Sequence, residues 1–455
     1  MKKIYQYMLM AAALLALASC SQPLVNSDSA GQSISVGGLQ FVVGDFPVFG
    51  GGTQTRAIGT QDEGKTEWEN GDKILVHLYS DEYGQQAVTL TFENGGWKSD
   101  GGTFDYPKDE KLEITAVYAP DCEIKSDGSI GLASGKLYGM AEYITAKTSV
   151  DGLNVSISFK DVTRTYSRLR IAGLANQTLT VYTIKFTPAG ATEAGEHTYT
   201  LTTDNNGNAF LYGVFAEGAT VSVKQGEVTL EDYTFTADKN PGGTEHNKSY
   251  ALDATPVIDG TLGGKTTVTE DEVNALVEQL KAYVDNGITT IVVTGSEPAM
   301  INWYYKTVPA YAFAICLLTD DPDEMSKYFG TIDLIIPDVM EIVDFEFEFA
   351  GALNSVTLPK VTKLGDMAFH GCFYMKQLTF GSVLTEVNET GGVMFYCAGI
   401  EVGGCDLILN CGQMDESSVP APDLTNNTWK FKFENEFKSI TLTHTGECDE
   451  CKANQ

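Results

Sequence analysis

The sequence predicts a mainly β protein with an α/β part, in which two tandem β-sandwiches precede a short repeat solenoid with a helical N-terminal cap. Three patterns support this prediction. Apolar and polar residues alternate from about residue 33 to residue 253, an amphipathic helix follows, and a 22-residue repeat begins at Leu334. At roughly 100–200 residues per domain, the chain of 455 residues is long enough for several domains.

The charge of the chain argues against two kinds of partner. It has 30 Lys and Arg residues against 61 Asp and Glu residues, which gives a formal net charge of -31. Nucleic acids and anionic lipid surfaces attract clusters of Lys and Arg, so we expect neither as a direct partner. The hydrophobic content of 43% and the aromatic content of 10% are too high for a disordered chain.

The first 20 residues have the pattern of an export signal. Residues 1–3 are basic at two positions, residues 8–17 are apolar, and no later segment reaches the roughly 18 apolar residues of a membrane span. We therefore predict a signal peptide over residues 1–19. Residues 17–20, Leu-Ala-Ser-Cys, resemble the lipobox of bacterial lipoproteins. This resemblance implies lipidation of Cys20, an outer-membrane anchor and a tether over residues 20–32; the alternative is an ordinary secretory signal.

Residues 33–153 and 154–256 are predicted to form the two β-sandwiches. In short runs of the sequence every second residue is apolar, which places these side chains on one face of a strand. Ile74, Val76 and Leu78 are an example. Turn sequences such as Asn94-Gly95-Gly96 separate the runs. Many short strands at this spacing are typical of sandwiches, and roughly 220 residues are enough for two of them.

Four segments of the first half, residues 53–57, 66–74, 104–107 and 116–120, occur in the order found in the fimbrillin-like family of lipoproteins, which this half resembles. The resemblance implies transthyretin-like sandwiches. In pilus subunits of that family, cleavage after an arginine removes the first strand and opens a groove for a donor strand. The matching residue is Arg56, a candidate site of proteolytic maturation; the alternative is a loop residue of an intact lipoprotein.

The glycine-rich residues 257–265 are predicted to be a linker, and a helix follows it. Thr269 and Glu272 have the spacing of a capping box. Asn286-Gly287 is typical of a helix C-terminus that ends in the left-handed conformation. Between them, one helical face carries apolar residues at Val273, Leu276, Val277, Leu280 and Val284. We expect this face to cover an apolar structure formed by the residues that follow.

Seven apolar columns recur every 22 residues from Leu334 onward, and a unit of this length must stack on its neighbours to bury them. Residues 356–372 run through a strand, Pro, an apolar turn, Ala-Phe and Gly-Cys, and they resemble the BspA-like leucine-rich repeat. The resemblance covers about residues 334–409 of a domain predicted over residues 266–443, with a polar tail over 444–455. Residues 390–392 look like an insertion that places Phe395 four residues late. The implied repeat core is Leu358, Val361, Leu364, Phe369 and Cys372.

We find no catalytic or metal-binding pattern, and we expect no enzyme activity, no metal and no cofactor. The five His residues are scattered, and HExxH, GxSxG, P-loop and GxGxxG patterns are absent. His370 is predicted at the solenoid surface, and Glu346 and Glu348 are not interpreted as a catalytic pair. The pairing of Cys405, Cys411, Cys448 and Cys451 stays open.

Two functions from different classes remain. In the first, a surface lipoprotein acts as an adhesin or as a fimbrial tip or anchor protein, and its repeat domain binds a host or bacterial surface protein, a matrix component or fimbrial subunits. In the second, a glycan-binding accessory lipoprotein stacks sugar rings on Trp303-Tyr304-Tyr305 or on Trp429. The alternative role for residues 303–305 is packing of the cap onto the first repeats.

Overall fold

The computed structural model is mainly β and divides into two compact units. It describes residues 32–36, 38–49, 67–81, 83–100, 113–125, 129–160, 162, 164–303, 306–319, 324–388, 394–414, 422–429 and 437–443. The first unit comprises the described residues within Met1–Phe49, Glu63–Lys136 and Ala141–Arg164. The second comprises those within Leu137–Met140 and Thr165–Gln455.

The first unit contains a four-stranded sheet in the order β1-β2-β11-β10, a five-stranded sheet in the order β5-β4-β3-β6-β9, and the hairpin β7-β8. Their bounds are β1 Gln32–Val36, β2 Leu39–Val43, β3 Lys73–Ser80, β4 Gly84–Glu93, β5 Gly96–Ser99, β6 Glu113–Tyr118, β7 Cys122–Ile124, β8 Ile130–Leu132, β9 Ile144–Thr145, β10 Lys147–Asp151 and β11 Asn154–Ser158. The alternation predicted for Ile74, Val76 and Leu78 is present on β3, where all three side chains are buried.

Trp68 lies at the centre of the aromatic core of the first unit. Its ring contacts Phe46 and Phe159, which follow β2 and β11, at 5.0 and 5.7 Å between centroids. It also contacts Tyr118 on β6 and Trp97 on β5, at 5.4 and 4.8 Å. The indole N–H donates to the carbonyl of residue 44 at 2.9 Å. Rings from both larger sheets therefore meet on one tryptophan, and its polar atom is satisfied.

The predicted boundary between residues 153 and 154 is wrong, because β11 belongs to the first unit. Gly152, at φ +58°, forms a tight turn that pairs β10 with β11. β11 also pairs in parallel with β2 along Asn154 to Ile157. These ladder hydrogen bonds hold the strand in the first unit, which continues to Arg164.

The next region forms one continuous six-stranded sheet. It consists of β12 Ser167–Ala172, β13 Thr178–Pro188, β14 Gly195–Thr202, β15 Asn208–Gln225, β16 Val228–Thr234 and β17 Ser249–Asp253. The first half of β15 pairs with β12, and its second half pairs with β13 and β16. Tyr199 on β14 and Tyr250 on β17 enter the same core. One 18-residue strand thus joins both halves of this sheet.

The predicted linker contains the first strand of a seven-stranded parallel sheet. β18 Val257–Asp259 pairs in parallel with β19 Thr290–Thr294, and Ile258 is buried. The carboxylate of Asp259 then accepts the backbone N–H groups of Thr261 and Gly263 at 2.9 and 2.7 Å. Only the turn after Asp259 therefore matches the predicted glycine-rich connection.

The predicted helix is present as α1 Glu270–Asp285, with the predicted capping box of Thr269 and Glu272. The Glu272 carboxylate accepts the backbone N–H of Thr269 at 2.9 Å, and Gly287 has φ +72°. The buried face is Val273, Leu276, Val277, Leu280 and Tyr283. Val284, predicted on this face, is only partly buried, because Tyr283 occupies the position nearer the core.

The parallel sheet runs in the order β18-β19-β22-β24-β26-β28-β31, and β23-β25-β27 form a second parallel sheet. The remaining elements are β20 Met300–Trp303, β21 Lys306–Pro309, α2 Ala310–Leu317, α3 Met325–Tyr328, β22 Ile332–Ile335, β23 Glu341–Ile342, β24 Leu353–Leu358, β25 Lys363–Leu364, β26 Gln377–Phe380, β27 Glu386–Val387, β28 Asp406–Asn410, β29 Pro422–Asp423, β30 Thr428–Trp429 and β31 Ser439–Thr443. Two 3-10 helices lie at Ile400–Val402 and Cys411–Met414.

The 22-residue spacing of the sequence is the register of the parallel sheet. Leu334 on β22 pairs with Val356 on β24, which pairs with Leu378 on β26. Each of these three side chains is fully buried. After β26 the connections lengthen, and Leu378 pairs with Leu407 on β28. Stacked turns of the chain thus share one core, as expected for units that cannot bury their apolar side alone.

Candidate functional site

The residues predicted from the sequence fall into two groups. Cys20 and Arg56 lie outside the described residues. The predicted repeat core is described, and each of its members is at most 2% exposed: Leu358, Val361, Leu364, Phe369 and Cys372. These five residues form the interior of the structure on which the candidate site is built.

A column of stacked phenylalanine rings runs through this interior. The Phe369 ring lies 5.5 Å from Phe347, with an interplanar angle of 17°, and 5.8 Å from Phe395, with an angle of 10°. Phe395 thus occupies the column four residues late, which is where the predicted insertion would place it. The Cys372 thiol donates to the carbonyl of Phe347 at 3.1 Å, and burial raises the pKa of this thiol. We assign Cys372 to packing rather than chemistry.

The residue that follows the stacked phenylalanine in each repeat belongs to a second column, which lies nearer the surface. It consists of Glu348, His370 and Tyr396. The His370 ring stacks on Tyr396 at 5.7 Å, and its Nδ1 lies 3.4 Å from Oε1 of Glu348. The other carboxylate oxygen of Glu348 forms an ion pair with Lys306. His370, predicted at the surface, is therefore largely covered by its neighbours in the column.

An open pocket of about 670 Å³ lies beside this column, and we refer to it as the aromatic pocket. Most of its lining is apolar, and a few polar side chains interrupt it. The lining residues are Trp303, Phe313, Cys316, Leu317, Thr319, Phe329, Glu348, Phe349, Gly351, Phe373, Tyr374 and Glu401. They come from the cap elements and from successive repeats, so the pocket forms only when these parts are stacked.

Phe349 forms the exposed wall of the aromatic pocket. It has φ +61° and its side chain is 50% exposed. The ring lies over Gly371, because a Cβ atom at that glycine would be 2.4 Å from the ring. Two further rings of the lining, Phe329 and Tyr374, stack at 4.2 Å with an angle of 13°. A glycine in one repeat thus provides the space for an exposed ring from the repeat before it.

The polar groups of the pocket are mostly occupied by internal bonds. The Thr319 hydroxyl donates to the carbonyl of Cys316 at 2.9 Å, and the Cys316 thiol donates to the carbonyl of Glu348 at 3.3 Å. The Glu348 carboxylate is held by Lys306. Glu401 has no side-chain hydrogen bond or ion pair within the described part of the chain, and the same is true of the Tyr374 hydroxyl. The main polar group available to a ligand is therefore the Glu401 carboxylate, which accepts hydrogen bonds.

A buried carboxyl group joins the cap to the first repeat. The Glu346 side chain accepts a hydrogen bond from the hydroxyl of Tyr311 on α2, and it accepts the backbone N–H of Val343 at 2.9 Å. Burial raises the pKa of Glu346 to about 7; the Tyr311 and Val343 hydrogen bonds oppose this shift, and Glu341 adds to it. The carboxyl group therefore titrates near neutral pH.

Glu346→Gln should remove a pH-dependent component of stability. Because the folded-state pKa is raised from 4.5 to about 7, the wild-type stabilisation is complete below pH 4.5 and is lost as the pH rises through 7. The shift corresponds to about 3 kcal/mol in the free energy of unfolding. Gln imitates the protonated group, and the Tyr311 hydroxyl can accept from its amide.

The measurement is urea unfolding of both proteins at pH 5 and pH 8. We expect Glu346→Gln to exceed the wild type in stability at pH 8 and to change less between the two pH values. Equal losses in both proteins would show that another group causes the pH dependence. Glu278→Gln, on the exposed face of α1, is the matched control and should follow the wild type.

The aromatic residues predicted as sugar-stacking candidates have different positions. Trp303 lines the pocket, is 37% exposed and packs on Phe313 at 5.1 Å with an angle of 48°. Trp429 lies on β30 outside the pocket lining, and Tyr304 and Tyr305 lie outside the described residues. The rest of the pocket gave no signal in the sequence, because residues far apart along the chain build it. The sequence held one indication of this wall: Phe349 occupies the repeat position at which the next repeat has Gly371.

Two further observations concern metals and membranes. Within the described ranges, no group of three His, Cys, Asp or Glu side chains is placed to hold a metal ion. Among the helices of those ranges, none has both the length and the apolar character needed to cross a bilayer.

These features define a mainly β protein with a parallel repeat region and an open aromatic pocket. No family model matches the sequence, and no curated protein is significantly similar to it. A putative cell adhesion protein from Bacteroides fragilis NCTC 9343 is similar over 48% of this chain and 92% of its own, with 10% identity and a TM-score of 0.25. The shaft pilin SpaA from Lactobacillus rhamnosus GG is similar over 41% of this chain and 93% of its own, with 13% identity and a TM-score of 0.14. Scores this low carry no argument about function.

Proposed function

We propose that this protein is a cell-surface lipoprotein that acts as an adhesin or as a fimbrial tip or anchor protein, and that it binds its partner through residues 266–443. The observation that carries the proposal is the aromatic pocket. Exposed apolar surface is costly in water, and large concave examples mark binding sites. The internal bonds of its polar groups and the absence of a catalytic pattern in the sequence favour binding over catalysis.

The architecture that we propose is two transthyretin-like sandwiches followed by a leucine-rich-repeat solenoid of the BspA-like class. The 22-residue register of β22, β24 and β26 supports the solenoid assignment. The stacked Phe347, Phe369 and Phe395 rings, which match the Ala-Phe position of that class, add to this support. A rigid stack of this kind holds surface side chains at fixed spacing, which suits a binding scaffold.

A blocking experiment tests the proposed role of the repeat region. Beads coated with the full chain are offered to bacterial cells, epithelial cells and matrix proteins, and retention is measured. Fab fragments against residues 266–443 should abolish retention, whereas Fab fragments against the first unit should leave it unchanged. Equal blocking by both reagents, or retention that neither reagent affects, would contradict binding through the repeats.

The proposed anchor and the candidate maturation site share one measurement, which is intact-mass and N-terminal analysis of the native protein. A chain that starts at acylated Cys20 supports an intact anchored lipoprotein. A start at Ala57 supports processing after Arg56. Such processing would separate β1 and β2 from the rest of the chain, and Leu39, Phe41 and Val43 on β2 are buried. We then expect a groove along β11 that binds a hydrophobic dye once the segment leaves. An N-terminus at neither position would contradict both expectations.

A glycan-binding accessory role is the second candidate. Trp303, which is partly exposed in the pocket, favours it, because a sugar ring can stack on an indole. Binding to a panel of neutral oligosaccharides tests this role, and Trp303→Ala should abolish any binding that depends on the pocket.

A further inference from the structure

We propose that the aromatic pocket accepts an arginine side chain of a protein partner. This inference rests on the proposed function, since it specifies what the repeat region recognises. Three independent features carry it: the flat aromatic walls, the imbalance between acceptors and donors in the lining, and the way in which the protein holds one of its own cations beside the pocket.

The walls of the pocket suit a flat cation. The Phe329 and Tyr374 rings stack nearly parallel, and Phe349, which is half exposed, adds a third ring to the same lining. A guanidinium group is planar, is weakly hydrated for an ion and stacks on aromatic faces, whereas an ammonium group is compact and strongly hydrated. A pocket lined by several aromatic rings therefore favours arginine over lysine.

The polar lining suits a ligand that only donates hydrogen bonds. Within the described lining, the Thr319 hydroxyl and the Cys316 thiol already have acceptors, and Glu401 retains a carboxylate without a side-chain partner. Arginine has five N–H donors and no acceptor. A neutral sugar has hydroxyl groups that need donors as well as acceptors, whereas among the Thr319, Cys316, Tyr374 and Glu401 side chains only the Tyr374 hydroxyl has a hydrogen left to donate. The net charge of -31 also favours encounter with a basic partner.

Lys306 shows that aromatic rings and a carboxylate beside the pocket already hold one cation. Its Nζ lies 3.9 Å from the centre of the Phe345 ring and 6.0 Å from that of Trp303, and it forms an ion pair with Glu348. The chain has therefore built one cation site from aromatic rings and a carboxylate at the edge of the pocket. Because Lys306 neutralises Glu348, Glu401 is the carboxylate left to pair with an incoming guanidinium group.

The test uses the full chain and a blocked glycine-serine nonapeptide that carries one central arginine. The same peptide with citrulline, which keeps the shape but lacks the charge, is the reference, and a peptide with lysine tests the preference for a planar cation. Binding is measured by calorimetry and by quenching of tryptophan fluorescence. The arginine peptide should bind more tightly than the citrulline peptide, by about 3- to 30-fold.

Four variants locate the binding. Phe349→Ala and Glu401→Gln should each weaken binding of the arginine peptide by about 3- to 30-fold. Both positions are exposed, so neither change threatens the fold. Met340→Ala, at a 63% exposed side chain outside the pocket lining, and Glu278→Gln on α1 are the matched controls and should bind like the wild type.

The outcomes separate this inference from the proposed function. If both pocket variants bind the arginine peptide as the wild type does, the attraction is a general effect of negative charge and the inference fails. If neutral oligosaccharides bind in a Phe349-dependent way and the arginine peptide does not, the pocket is a glycan site and the inference again fails. In either case, retention of coated beads that only the repeat-region Fab blocks would leave the proposed function standing.

Discussion

Phe369→Ala should lower the free energy of unfolding of the second unit by about 3–5 kcal/mol, the largest effect that we expect from a single change in the repeats. Phe369 is fully buried, and its ring is stacked between Phe347 and Phe395. Truncation removes the contacts of an entire aromatic side chain with two neighbouring turns. The surrounding strands are held in register by ladder hydrogen bonds, so they cannot close the cavity.

The matched control for this change is Lys363→Ala. Lys363 lies on β25 and pairs with Glu386 at 3.0 Å, but its side chain is 47% exposed. Exposed ion pairs contribute about 0–1 kcal/mol, so this variant should be close to the wild type. Hydrogen exchange of the full chain, followed by mass spectrometry, gives the readout for each unit. Small and equal losses in both variants would contradict the stacked repeat core.

Arg164→Met should destabilise the first unit by about 3–5 kcal/mol. The guanidinium group is fully buried, and its Nε and Nη2 contact Oε1 of Glu142 at 2.7 and 2.6 Å. Nη1 donates to the carbonyl of Val48 at 3.1 Å, and Nη2 donates to the carbonyl of Pro47. The change therefore leaves a buried carboxylate without its cation and two backbone acceptors without donors.

A double variant separates these two causes. Arg164→Met with Glu142→Leu removes both charges, so it should recover part of the lost stability, although the carbonyls of Pro47 and Val48 stay without the arginine donor. Exchange should increase for peptides of the first unit, with little change in residues 334–388. If the single variant unfolds at the wild-type denaturant concentration, the ion pair contributes no net stability.

Arg164 also bears on the candidate maturation site. The carbonyls that it binds, those of Pro47 and Val48, precede Arg56 in sequence and follow β2. After cleavage at Arg56, the leading segment would still be held by these hydrogen bonds and by the parallel pairing of β2 with β11. We therefore expect the cleaved segment to leave the first unit more readily in Arg164→Met than in the wild type, which size-exclusion chromatography with mass analysis would detect.

The features that the sequence predicted well are those with a local or periodic cause. The capping box of Thr269 and Glu272 depends on residues three positions apart, and it is present at the start of α1. The 22-residue spacing of Leu334, Val356 and Leu378 fixes which residues pair across the parallel sheet. Even the displaced Phe395 is found in the phenylalanine column, because burial of an aromatic ring outweighs the length of the preceding loop.

The features that the sequence did not reveal depend on partners that are distant along the chain. Glu346 looked like one acidic residue among many, and its pKa is raised because burial removes water from the carboxyl group, an effect that the hydrogen bond from Tyr311 on α2 only partly offsets. Arg164 and Glu142 carried no signal, since nothing local shows that both charges are buried. The boundary near residue 153 was placed too early, because the pairing of β11 with β2 is a non-local contact.

By itself, the sequence determined the mainly β class, the position of α1 and the register of the repeats, because alternation, capping and a constant period act over short distances. Only the tertiary structure decided how β15 joins both halves of its sheet, which carboxyl groups are buried, and that Trp303, Phe349 and Glu401 line one pocket. The physical reason is that burial and electrostatics depend on neighbours in space, and residues from separate turns become neighbours only after the chain has stacked.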